Sequence, residues 1–99
     1  MSEVIANGTV AGLMAFLDVM SEKGWVSRGA IVALKTAVRQ VVMAADGDNW
    51  EQADAKSLDI DDYITRFSNK TMGKYNNQSI AAYKARLQRA IEWYRKFLD

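Results

Sequence analysis

The chain has 99 residues, 49% hydrophobic and 25% charged, with a net charge of +1. With no Cys and no His, it has no disulfide, Cys/His zinc site, thiol nucleophile or imidazole base. No run reaches the roughly 18 apolar residues of a membrane helix, and the start lacks a signal peptide's layout.

The length suits one domain that buries roughly 60–65% of its unfolded surface. A Cys-free chain fits the cytoplasm. The absence of Pro, with frequent Ala, Leu, Met, Lys and Arg, favours helix throughout. The near-zero net charge hides a strong segregation. Residues 1–45 carry +1, residues 46–62 carry −6 and residues 63–99 carry +6. That distribution is more informative than the sum.

Met1 to Gly8 shows no periodicity and is expected to be a disordered, fraying start. Thr9 is placed to cap a first helix, on which Val10, Leu13, Phe16, Leu17 and Met20 form one apolar face up to Gly24. After Trp25 and Val26, Ser27 can cap a second helix reaching Ala45, with Ile31, Leu34, Val38, Val41, Val42 and Ala45 inward. That helix contains no acid, and Arg28, Lys35 and Arg39 fall within about 40° of one another around it. Thr36 and Gln40 flank this stripe. Such a face either binds something anionic or is simply solvated.

Asp46-Gly47-Asp48-Asn49 reads as a turn. It opens like a calcium loop but lacks the Gly at position six and the Glu at position twelve, so no metal is expected. Trp50 is expected to anchor the following linker on the core. A third helix spans Leu58 to Lys70, with Ser57 or Asp59 as cap, Asp61 and Asp62 in the first turn, and Ile60, Tyr63, Ile64 and Phe67 inward. A polar loop containing Gly73 and Lys74 then leads to a long closing helix from Asn76 to Leu98. Ile80, Tyr83, Leu87, Ile91, Tyr94 and Leu98 form its apolar face, and Phe97 is also assigned to the core. Lys84, Arg86, Arg89, Arg95 and Lys96 occupy the other faces, where Trp93 is also placed.

Shifting the sequence by 49 positions aligns the second helix with the fourth. Gly24 meets Gly73, Leu34-Lys35 meets Tyr83-Lys84, Val38 meets Leu87, and Val41-Val42 meets Ala90-Ile91. The first and third helices follow with a one-residue slip. The expected fold is therefore all-α, a compact bundle of four or five helices built as two helical hairpins.

Residues 9–99 resemble the N-terminal core-binding (SAM-like) domain of phage integrases and other tyrosine recombinases. The likeness lies in Gly24-Trp25-Val26-Ser27 leading into Ile31, Leu34, Lys35 and Val38. It recurs as Asn77-Gln78-Ser79-Ile80-Ala81-Ala82-Tyr83-Lys84-Ala85-Arg86-Leu87, and Trp93-Tyr94-Arg95-Lys96-Phe97-Leu98 closes the domain. Thr9-Val10 and the stretch from Asp59 to Phe67 match the family's layout. Ala30 stands where the family often has Thr or Ser. The resemblance implies a domain that crosses one face of duplex DNA, its second and fourth helices near the major groove. A separate C-terminal domain would carry the catalytic tyrosine, and protomers would meet on DNA.

Clustered Lys and Arg suit this because neutralised phosphates release condensed counterions. The candidate DNA contacts are Arg28, Lys35, Thr36, Arg39 and Gln40 on the second helix. Lys74, Gln78, Lys84, Arg86 and Arg89 are the candidates around the fourth. Most would meet phosphates; Gln40, Gln78 and Gln88 can reach base edges or serve as ordinary surface residues. The competing expectation is a helical module that binds a protein partner, using Trp93 and the charged poles. A freestanding enzyme is disfavoured, since Asp61 and Asp62 face different ways and no nucleophile–base pair can be assembled. No cofactor is expected.

Overall fold

The computed structural model describes residues 5–99. Residues 1–4, part of the expected fraying start, lie outside the described residues. The helices are α1 (Val10–Glu22), α2 (Arg28–Asp46), α3 (Ile60–Thr71) and α4 (Asn77–Leu98), with a 3-10 helix over Gly47–Gln52 between α2 and α3. The described residues form no strand, only one isolated antiparallel bridge between Thr9 and Asp54. The protein is an all-α bundle, and no described helix is long and apolar enough to cross a membrane.

Each α-helix begins where a short polar side chain can accept from its otherwise unpaired first-turn amides. Thr9 Oγ1 accepts from Gly12 N at 3.3 Å, and Ser27 Oγ from Ala30 N at 3.3 Å. Asp59 Oδ1 accepts from Asp62 N at 3.1 Å, and Asn76 Oδ1 from Ser79 N at 2.8 Å. The internal repeat is visible here. Gly24 and Gly73 both turn with positive φ, +74° and +77°, a conformation that glycine adopts without a Cβ penalty. Each is followed three residues later by the cap of the next helix. The slip in the repeat lies inside the outer helices, because α1 has 13 residues and α3 has 12.

Leu13, Phe16 and Leu17 of α1 meet Ile31, Leu34, Val38, Val41 and Val42 of α2, with Ile64 and Phe67 of α3 and Leu87, Ile91 and Tyr94 of α4. Fully burying such a side chain is worth about 1.5–3 kcal/mol. Helix α2 packs on every other helical element, and most extensively on its repeat partner α4, whereas α1 and α3 do not meet. The two hairpins therefore share one core.

Several details differ from the sequence-based expectations. The turn at 46–49 is the start of the 3-10 helix, from which half-buried Trp50 packs on the core. Trp93, expected on the polar side, is half-buried against the core. Phe97, expected inside, is 45% exposed. Phe97 covers Phe16, with ring centroids 4.7 Å apart, so it roofs the core rather than entering it.

Residues 5–8, expected to fray, are held in place. The Tyr94 hydroxyl accepts from Gly8 N at 3.0 Å and donates to Ile5 O at 2.9 Å. Gly8 O accepts from Ala55 N at 2.8 Å, and Ala53 O from Val10 N at 2.9 Å. Arg95 adds Nε to Lys56 O at 2.7 Å and Nη2 to Leu58 O at 3.3 Å. The start of the chain, the 53–58 connection and the last turns of α4 thus lock one another.

Tyr94→Phe tests this lock. It strips the Gly8 amide of its acceptor, and should cost about 1–3 kcal/mol in urea unfolding. Amide exchange at Gly8 should quicken while the helical signal stays. An unchanged urea midpoint would mean the lock is not structural.

Candidate nucleic-acid interface

With its apolar arc buried, α2 can present only its opposite side. Along that side lie Arg28, Val32, Arg39, Gln40 and Met43, all exposed, and half-buried Lys35 and Thr36. A groove of about 350 Å³ runs between α1, α2 and the 3-10 helix, lined by Met14, Val32, Lys35, Thr36, Arg39 and Trp50. Arg28 and Lys35 share a smaller recess of about 230 Å³ with Asp18 and Glu22 of α1. Across the ridge, a groove of about 290 Å³ separates α2 from the end of α3 and the following turn. Gln40 and Met43 form one wall, Lys70, Lys74 and Tyr75 the other.

The residues singled out on the second helix therefore share one surface, and Lys74 joins them across the second groove. Those on the fourth helix do not share one. Lys84 and Arg86 are about 200° apart at 100° per residue. Lys84 leans to α3, where its Nζ lies 2.9 Å from Asp61 Oδ1. Arg86, Arg89 and Gln78 are exposed elsewhere on α4. The candidate cations of α4 thus lie on two separate flanks. Arg95 is committed to backbone carbonyls.

Two candidates are already paired. Lys35 Nζ meets Asp18 Oδ1 at 2.7 Å, with the side chains 31% and 53% exposed, and Lys84 is paired with Asp61. Ion pairs this open are worth only about 0–1 kcal/mol, so a phosphate can displace either carboxylate. They still set Lys35 and Lys84 apart from Arg28 and Arg39, which have no carboxylate partner among the described residues.

The acids of residues 46–62 largely serve the fold. Asp62 Oδ2 pairs with Arg66 Nε at 3.1 Å, Asp59 caps α3, and Asp54 Oδ1 accepts from Ser57 N at 3.2 Å. Asp48 and Glu51, both exposed on the 3-10 helix, have no such partner among the described residues. No described cluster of three or more acidic, His or Cys side chains is arranged to hold a metal ion.

An aromatic cluster stiffens the second groove. Phe67, Tyr75 and Tyr83 pack with ring centroids 5.2–5.5 Å apart, and burial, then the Tyr75 hydrogen bond, pushes the Tyr83 hydroxyl's pKa up. At the far end, the Tyr63 hydroxyl donates to Asp46 Oδ2 at 2.7 Å, tying α3 to the last residue of α2. Burial first, then the bond to Asp46 and its charge, push the Tyr63 pKa up to about 12. Lys70 and Tyr75 were not singled out from sequence. The one cue for Lys70 was its place four residues before Lys74, but a turn intervenes, so helical spacing could not pair them.

The chain matches no protein-family model, and neither a curated protein nor a solved structure matches it.

The Tyr63 bond makes stability depend on pH. The fold holds the neutral phenol, so the contribution is complete below the ordinary value of 10.0 and is lost as pH rises through about 12. Tyr63→Phe should lower the urea midpoint at neutral pH and flatten its fall across that alkaline window. The part due to Tyr83 and Tyr94, whose pKa values are also raised, should remain. An unaltered alkaline profile would refute the coupling.

Proposed function

We propose that this chain is a duplex-DNA-binding domain of the kind found at the N-terminus of phage integrases and other tyrosine recombinases. The observation that carries the reading is the outward stripe of α2. Arg28, Lys35 and Arg39 line one side of a helix without an acid between Arg28 and Ala45, and Lys74 stands across a groove from Gln40. A B-DNA major groove is about 12 Å wide and admits one helix. On such a duplex the cations would meet phosphates and set register, while Thr36 and Gln40 lie closest to the base edges.

The split charges of α4 narrow this role. Helix α2 is the principal contact, with Arg86, Arg89 and Gln78 auxiliary, and Lys84 is better assigned to the α3–α4 packing. Cutting and joining would be supplied by a separate C-terminal domain, with protomers meeting on DNA in the cytoplasm. Affinity of this domain alone falls in the non-specific range of about 10⁻⁴ to 10⁻⁶ M, since only a few cations share the face.

A second reading rests on a different observation. Val32, 55% exposed on the same ridge, adjoins Met14 and Trp50, and an apolar groove of this kind suits a protein partner.

Titration of a labelled duplex at several salt concentrations separates the two. Arg28→Gln with Arg39→Gln should weaken binding and reduce the salt slope by about 2, one for each lost phosphate contact, with an unchanged helical signal. If wild type ignores DNA, and a protein partner perturbs resonances around Val32 and Trp50, the partner module is correct.

A further inference from the structure

We infer that the groove between α2 and the end of α3 is a phosphate subsite: one strand of a duplex docked on α2 runs along Lys70 and Lys74. This rests on the DNA-binding reading and adds to it a phosphate subsite and an orientation.

A helix lying in a major groove has one sugar-phosphate strand on each side, and α2 has one groove on each side. The grooves are alike in size, and each is lined by two cations, Lys70 and Lys74 beside α3 and Lys35 and Arg39 beside the 3-10 helix. On the α3 side, Lys70 ends α3 and Lys74 follows the turn. Neither has a carboxylate partner among the described residues, and Gln40 faces them with an amide that can donate. Thr71 adds no donor, because its Oγ1 donates to Phe67 O at 2.9 Å within its own helix. Phe67 and Tyr75, which pack on Tyr83, line the groove floor.

On the other side both cations, Lys35 and Arg39, belong to α2 itself, Lys35 is already paired with Asp18, and the far wall is Trp50. The α3 side alone therefore adds cations from beyond α2 to the contact.

The test uses the full chain and a short mixed-sequence duplex carrying fluorescein, followed by anisotropy across a sodium chloride series. Lys70→Gln with Lys74→Gln should weaken binding and lower the salt slope by about 2. Circular dichroism should be unchanged in this variant. Wild-type binding with an unaltered slope in the lysine variant overturns the subsite and leaves the DNA reading standing. A wild-type chain that binds no duplex overturns both this inference and the reading beneath it.

Discussion

Everything in this fold depends on the burial of one arc of α2. Its Ile31, Leu34, Val38, Val41 and Val42 are at most 3% exposed and give the other helices a common wall. A helix packed on several sides has little freedom in which residues it shows to solvent. The remaining arc receives Arg28, Arg39 and Gln40 because no apolar neighbour is left to cover it. The candidate interface is thus a by-product of core packing, placed on the helix that packs against every other helical element, where a binding surface loses little entropy on docking.

The duplicated hairpin adds a second constraint. The repeat places α2 and α4 in equivalent positions, each entered from a left-handed glycine and a polar cap. Their surroundings are not equivalent, because the 3-10 helix covers one side of α2 and α3 leans more on α2 than α1 does on α4. The copies therefore diverge in their free surface. Helix α2 keeps its three cations on one side, with only Lys35 paired, to Asp18, while on α4 one cation is used by Asp61 and another by backbone carbonyls.

Local chemistry was legible in the sequence. Thr9 and Ser27 cap the helices they are assigned to, Asp59 rather than Ser57 caps α3, and Leu13, Leu34, Val38, Leu87 and Ile91 lie inside as their spacing requires. Features set by how helices cross were not legible. The partners of Lys35 and Lys84 come from other helices, 17 and 23 positions earlier in the chain. Trp93 and Phe97 exchange their expected environments because α1 offers Phe16 as a stacking surface at the end of α4. The 3-10 helix has no long apolar period, and its Gly, Asp and Asn read as a turn. Fully buried Ala55 is too small to signal burial from composition.

The lock made by Tyr94 also orders the assembly of the molecule. Its partners, Gly8 and Ile5, are 86 and 89 positions away, whereas each hairpin closes over a five-residue turn, 23–27 and 72–76. Closing a long loop costs more chain entropy than closing a short one, so the hairpins form first and the Tyr94 clasp last. Local opening runs in reverse and begins at the clasp, where Gly8, Lys56 and Leu58 meet α4. The α2 ridge lies outside that region. Breathing at the clasp end can therefore leave the cationic surface intact, so the site is more durable than the ends that close the fold.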